Sequence, residues 1–597
     1  MASMITSTAG SETISEKSAV TAQESSGRGR RLSTYLISMS LLLCTNSYTP
    51  PPTVPKPKSP ICIGFFLSFI TFSPFFTGKC FRHKNTCIFL ENSISYNPKK
   101  CKNKRWVVSM IYQSTRNENL TATSTQAVLQ GLAPDGGLYI RKELGGFDWR
   151  GVLALDTLGM AERILAFLLP DFENMGDLVR RAYAGKFETE DLTPLAAIGG
   201  RYVLELFRGP TSAFKDVALS MLPQLITAAR RQESVREQIV ILTATSGDTG
   251  KAALEGFRDV EGTRIVVFYP EQGVSQVQKA QMVTQEGSNV CVCAVRGNFD
   301  DAQTGVKDIF AAGVPEGAHV RLSSANSINI GRLAPQVVYY FKAYADLVRS
   351  GRIGIGQKVD FVVPTGNFGD ILAGYFAKEM GLPVGRLVCA SNRNDVLTQF
   401  LRTGVYDRRR PFYRTLSPSM DILVSSNLER LLFLLSQGDA ARGAAYMRSL
   451  REEGVYRVDD ALLARLQAEF SCGCCDDEQT EETIGRVWRE YGYLMDTHTA
   501  VAWHVADEYA RESGSEAPLV VLSTASPYKF PAAVLHAIGG DASGDEFGLM
   551  QRLHDATGVP VPRALAQLAD KPVLHRDCVD RDRMQTYVNG KVAEWNA

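Results

Sequence analysis

Lys215 sits inside a run, residues 202–226, that reads YVLELFRGPTSAFKDVALSMLPQLI. A strand-like stretch (202–207) is stopped by Gly209-Pro210. Thr211 or Ser212 can then cap a helix whose apolar residues Val217, Leu219, Leu222, Leu225 and Ile226 recur at helical spacing. This spacing puts Lys215 in the first turn, where the positive end of the helix dipole disfavours an ammonium. The amine is biased toward the neutral nucleophile that attacks an aldehyde. A lone lysine at a helix start is ordinarily just a solvated charge, so the reading depends on what surrounds it.

Three further strand–loop–helix units supply that context. Residues 239–242 lead into TATSGDTG (243–250), residues 359–363 into PTGNFGD (364–370), and residues 519–522 into STASPYKF (523–530). Each loop falls at the carboxyl edge of an expected parallel sheet, where helix-start N–H groups bind anions and open α/β folds bind ligands. A reactive lysine among anion loops suggests pyridoxal 5′-phosphate as cofactor.

At these residues the chain resembles the threonine synthases, enzymes of the pyridoxal-phosphate type II fold. The segments QGLAPDGGLYI (130–140), GPTSAFKD around Lys215, TSGDTG (245–250), SSANSINIGRLAPQ (323–336) and PTGNFGD occur in the family's order. The likeness runs from about Met110 to the C-terminus. It implies an α/β fold with parallel twisted sheets covered by helices, plus a mostly helical N-terminal subdomain.

The 597 residues are 45% apolar, enough for a large core and more than one domain. The formal charge of +1 hides an asymmetry: 14 Lys/Arg stand against 4 Asp/Glu before Met110, leaving 51 against 60 after it. An acidic body offers no electrostatic footprint for nucleic acid, so a substrate anion has to be met by local groups. Of 12 cysteines, seven lie in the body, which suggests a reducing, cytoplasmic compartment and not a disulfide framework. Cys472, Cys474 and Cys475 cluster in SCGCCDDE without a fourth ligand at finger-like spacing, so a small loop is expected there and no metal.

Four segments are expected. Residues 1–109 combine Ser-rich, Pro-rich and apolar blocks; their composition reads as a start assigned too far upstream of Met110, with a targeting segment or a membrane anchor as the alternatives. The 16-residue apolar run 61–76 is short for a bilayer span. Residues 110–199 read as a helical subdomain, 200–538 as alternating strands and helices of a covered parallel sheet, and 539–597 as a polar tail without chemistry.

The resemblance assigns roles. Lys215 is the Schiff-base residue and principal acid/base. Gly366, Asn367, Phe368, Gly369 and the helix start at Asp370 offer unobstructed N–H donors for the cofactor phosphate. Asp248 borders the cofactor ring, with helix capping as its ordinary alternative; Ser246 and Thr249 receive the substrate α-carboxylate. Thr524 faces the pyridine nitrogen. Asn326, Ser327, Asn329 and Arg332 bring amides, a hydroxyl and a guanidinium fork suited to the substrate phosphate. His498, in DTHTAVA where the family usually has proline at the position of Thr497, receives no role. The implied reaction converts O-phospho-L-homoserine and water to L-threonine and phosphate. A phospho-lyase releasing a keto acid and ammonia would keep every motif, and a non-catalytic binding protein would be expected to lose the lysine or a phosphate loop. The sequence does not reveal an oligomeric state.

Overall fold

The computed structural model describes residues 112–596, so the expectations for 1–109 lie outside the described residues. The described residues all belong to one compact unit, Lys104–Ala597.

The described chain opens with a small antiparallel sheet, β1 (Tyr112–Ser114), β2 (Thr121–Ala122) and β3 (Tyr139–Ile140), ordered β2-β1-β3. Helix Ser124–Gln130 follows β2, Thr157–Leu168 accepts the Tyr112 hydroxyl on its Leu168 carbonyl at 2.7 Å, and Met175–Tyr183 packs against Thr157–Leu168. The first is held by a capping box between Thr123 and Gln126. The N-terminal region is therefore helical as expected, with a short sheet that its two- and three-residue strands left without an alternation signal.

A hairpin of β4 (Leu195–Ile198) and β5 (Arg201–Glu205) begins the first large sheet. The chain then leaves to lay down β6 (Gln238–Ala244), β7 (Thr263–Pro270), β8 (Val290–Arg296) and β9 (Val320–Ser324) of a second sheet. It returns with β10 (Val359–Pro364) and β11 (Val384–Ser391). After a small ribbon of β12 (Val405–Asp407) and β13 (Val455–Arg457), it closes the first sheet with β14 (Phe470–Cys474) and β15 (Leu519–Ser523). Last comes β16 (Asp577–Asp580). The first sheet is ordered β14-β11-β10-β15-β5-β4 and the second β16-β8-β7-β6-β9. Every pairing in them is parallel except β4 with β5. β10 reads VDFVVP and is buried along its whole length, as a strand covered on both faces must be.

One expectation is corrected here. The cysteine-rich SCGCC is not a loop: Phe470–Cys474 is an edge strand, with Cys472 in register with Cys389 of β11. Burial pushes the Cys475 thiol up to about 12, leaving it inert. The polar tail is built into the fold: β16 pairs with β8, and the helix Met584–Asn596 buries Met584, Val588 and Val592. A four-residue strand with Asp at both ends carries too little apolar pattern to be seen in advance.

The Lys215 helix, Lys215–Gln232, contains Pro223. Proline has no N–H to offer the Leu219 carbonyl. That carbonyl meets the neighbouring helix Asp248–Phe257 at Gly256, where an added Cβ would stand 2.0 Å from Leu219 O. The missing donor and the missing side chain let the two helices that begin in the site pack closely.

Candidate active site

Five loops converge where the carboxyl ends of β5, β6, β9, β10 and β15 face one another. Lys215 is the first helical residue after β5 and is 7% exposed. The expected cap is absent: the N–H and hydroxyl of Thr211 both donate to the Asp216 carboxylate, at 2.9 and 2.5 Å, so an acid inside the helix fixes the loop before it. Ser212 takes a positive φ of 59°, and its Oγ is buried with no partner among the described residues. Burial pushes the Lys215 ammonium below its ordinary value; Asp248 pulls the other way, while Lys529 and Arg332 add to the downward push. The neutral amine expected from the helix dipole is thus favoured by desolvation above all.

Asp248 opens the helix after β6, three residues earlier than the sequence suggested. It does not cap that helix. Its Oδ2 lies 3.5 Å from Lys215 Nζ, while its Oδ1 is 2.6 Å from Lys529 Nζ and accepts from Gln278 Nε2 at 2.7 Å. Burial alone would raise this carboxyl, but Lys529 and then Lys215 hold it well below the usual range. In the same loop, Thr245 Oγ1 accepts the N–H groups of Gly247 and Gly250, each at 2.9 Å. Ser246 and Thr249 are left half-buried, with hydroxyls uncommitted among the described residues.

The GNFG loop fits an anion. Phe368 adopts φ 60° and buries its ring against Phe470, turning the chain into the helix Gly369–Glu379. At Gly366 a Cβ would stand 2.8 Å from Ser419 O, and at Gly369 one would meet Ser327 Cβ at 3.3 Å, so side chains there would fill the cradle. The Asn367 carbonyl accepts the N–H of Asn427 at 3.1 Å while its side chain is exposed. The Asp370 carboxylate is engaged outside the cradle. Its Oδ1 accepts from Tyr339 at 2.6 Å and Tyr340 at 3.0 Å, and burial raises its pKa to about 6, so only its N–H is suited to a phosphate.

The loop after β9 separates the four expected phosphate ligands. Asn329 is spent: it caps the short helix Ile330–Leu333 through Gly331 N–H at 2.9 Å and donates to Val128 O at 2.9 Å. Ser327 Oγ accepts from Asn427 Nδ2 at 3.0 Å and Asn326 is half-buried. Arg332 donates from Nη1 to Ala325 O at 2.9 Å, and its Nε is buried with no partner among the described residues. Burial lowers its pKa to about 10, which leaves the guanidinium charged. Thr524 is 5% exposed, and its carbonyl takes the Phe214 N–H at 2.8 Å, tying β15 to the residue before Lys215.

Several residues here carried no sequence assignment. Ser419, on a strap between β12 and the helix Leu428–Leu435, lies with its Oγ 3.4 Å from Lys215 Nζ. Its N–H donates to His498 Nε2 at 3.2 Å, and His498 Nδ1 stands 2.9 Å from Asp496 Oδ1. Arg430, fully buried, donates to Tyr139 O, Ser327 O and Ile328 O, joining the small sheet to the loop after β9. No periodicity marks these residues, since their partners lie far away along the chain. Lys529 alone carried a readable signal, as the one cation within the STASPYKF loop.

Among the described residues no group of three or more His, Cys, Asp or Glu is placed to hold a metal, and no helix is long and apolar enough to cross a membrane.

A buried lysine at a helix start, an anion cradle and a second cationic pocket at the carboxyl edges of parallel strands define a cofactor-dependent α/β enzyme fold. Residues 190–458 match the family model described as pyridoxal-phosphate dependent enzyme, residues 111–193 that of the threonine synthase N terminus, and residues 499–587 that of the threonine synthase C-terminal region. The chain is similar to the threonine synthase of Pseudomonas aeruginosa, 41% identical over 444 residues that are 72% of this chain and 91% of that protein. It is 39% identical to threonine synthase-like 1 of Pongo abelii over 69% of its own length, and spans 58% of that longer relative. The solved structure of pyridoxal-phosphate-bound threonine synthase from Brucella melitensis superposes with a TM-score of 0.72 at 37% identity, covering 81% of this chain and 99% of that one. The chain belongs to the threonine synthase family of pyridoxal-phosphate-dependent enzymes.

Proposed function

We propose that this chain binds pyridoxal 5′-phosphate at Lys215 and converts O-phospho-L-homoserine and water to L-threonine and phosphate. The observation that carries the reading is the pairing of two separate anion sites around one buried amine. The GNFG cradle touches Ser419, which meets Lys215, and Arg332, whose Nε has no partner among the described residues, acts electrostatically on the same amine. A cofactor phosphate and a substrate phosphate each need such a site.

When bound, pyridoxal 5′-phosphate supplies an electron sink that acidifies the hydrogens at the substrate's Cα and Cβ. The chain's own residues do the rest. Backbone N–H groups of Gly366 through Asp370 hold the cofactor phosphate, and the Thr524 hydroxyl meets the ring nitrogen. Ser246, Thr249 and their loop N–H groups orient the α-carboxylate. Arg332, Asn326 and Ser327 grip the substrate phosphate and stabilise it as it leaves. Lys215, whose ammonium burial pushes below its ordinary value, takes the Cα and Cβ protons as the phosphate leaves and returns protons to Cγ and Cα, while water gives its oxygen to Cβ and its remaining proton to the released phosphate. Residues 110–538 carry the site, and 539–597 buttress the second sheet through β16. The free thiols of Cys291, Cys293, Cys389, Cys472, Cys474, Cys475 and Cys578 suit a cytoplasmic setting.

The test incubates the purified full chain with pyridoxal 5′-phosphate and O-phospho-L-homoserine and measures threonine, 2-ketobutyrate and phosphate together. Threonine and phosphate in equal amounts are expected. Ketobutyrate with ammonia in place of threonine would assign the phospho-lyase reaction instead.

A further inference from the structure

Asp248 is shared by two buried lysines. Its Oδ1 is 2.6 Å from Lys529 Nζ and its Oδ2 is 3.5 Å from Lys215 Nζ, with Lys529 fully buried and its Nζ also donating to Thr211 O at 3.1 Å. One carboxylate balances one ammonium. The shorter, better-bonded contact belongs to Lys529, so Lys215 is the lysine left without a full counter-charge.

We propose that Lys529 is the positioning residue that keeps Lys215 unprotonated: by occupying Asp248 with its own ammonium, it denies Lys215 the carboxylate that would hold a proton there. This rests on the reading of Lys215 as the reactive amine. No other charge facing Lys215 does the same work. From the loop after β9, Arg332 brings another cation; from the helix after β10, Asp370 spends its Oδ1 on Tyr339 and Tyr340; on Lys215's own helix, Asp216 is bound to Thr211. The strap contributes the neutral Ser419 hydroxyl, backed by His498. Asp248 is the only carboxylate among the described residues in ion-pair contact with Lys215, and Lys529 competes for it. Buried charges are retained only when paired, which fixes the division of roles: Lys529 charged, Lys215 neutral.

The inference is tested on the full chain stripped of cofactor, so that it does not depend on turnover. Formaldehyde and cyanoborohydride methylate only neutral amines; the rate of Lys215 methylation, read by peptide mass spectrometry across a pH series, reports its protonation directly. In Lys529→Met the midpoint is expected to move up by about one pH unit or more, making Lys215 about tenfold slower to react at a pH below both midpoints. Lys529→Arg, which keeps the charge, should hold the wild-type midpoint, and adding Asp248→Asn to Lys529→Met should bring it back down. If Lys529→Met does not fold, Asp248→Asn alone is expected to lower the midpoint. A folded Lys529→Met protein whose Lys215 midpoint is unchanged or lower overturns the proposal, as does an Asp248→Asn protein whose midpoint fails to fall. Absence of threonine synthesis would overturn the proposed reaction while leaving these midpoints as they are.

Discussion

His498 accepts the backbone N–H of Ser419 on Nε2 at 3.2 Å, and Ser419 in turn presents its hydroxyl 3.4 Å from Lys215 Nζ. Because Nε2 is the acceptor, the ring proton lies on Nδ1 and is donated to Asp496, 2.9 Å away. The strap that covers the GNFG loop is thus anchored from the start of the helix Thr497–Ser513. His498→Leu leaves the Asp496 carboxylate and the Ser419 N–H short of a partner in a buried place. It is expected to cost about 1–3 kcal/mol in urea unfolding. Ser419→Ala keeps the backbone bond and should stay within about 0.5 kcal/mol of wild type. Equal stabilities for the two variants would show that the strap is not held through His498.

The two buried lysines give the cofactor assignment a built-in competitor. Borohydride reduction of the pyridoxal-phosphate-loaded chain, followed by peptide mapping, should place the pyridoxyl group on Lys215 and none on Lys529, whose amine is committed to Asp248 and Thr211. Lys215→Ala should lose the label and at least about a thousandfold in turnover, since the acid/base is gone. A pyridoxyl group on Lys529 in wild type would exchange the two roles.

The parts of this site legible in sequence are those written locally. Lys215 at a helix start and the glycines of GNFG follow from strand-to-helix transitions, where composition and spacing signal the backbone path. Illegible parts depend on which loops meet. Asn329 reads as a phosphate ligand by type, yet it caps its own helix; Asp370 reads as part of the cradle, yet its carboxylate serves Tyr339 and Tyr340. Ser419 lies 204 residues from Lys215, and nothing in a linear pattern brings them together. β16 and β14 went unseen for a related reason: edge strands carry half the burial of central ones and so half the pattern.

Arg332 should be separable from cofactor binding. Its Nη1 holds Ala325 O and its Nε is buried without a partner among the described residues, so one face builds the loop and another remains for an anion. Arg332→Ala is expected to weaken O-phospho-L-homoserine binding by about 1.5–3 kcal/mol, a tenfold to hundredfold rise in KM, with cofactor content nearly unchanged. Arg332→Lys restores charge without the fork and should recover only part of the loss. Collapse of cofactor content with substrate affinity retained would mean that the two anion sites had been interchanged.

Asp370 makes the pH dependence of stability a test of the site's interior. Burial raises its carboxyl to about 6 from an ordinary 3.8, opposed by the hydroxyls of Tyr339 and Tyr340 and, only when Lys215 is protonated, by its ammonium. Between those pH values the folded chain holds a proton that the unfolded chain has released, so this group's contribution to stability falls as pH rises from about 4 to about 6. Asp370→Asn cannot ionise and escapes that loss, although its amide meets the same pair of tyrosines. The stability of the variant relative to wild type is therefore expected to rise by on the order of 2–3 kcal/mol between pH 4 and pH 7, whichever protein is the more stable at pH 4. Urea unfolding at both pH values measures the difference without any assumption about catalysis. A relative stability that stays flat, or falls, across this range would show that Asp370 is already ionised in the folded chain.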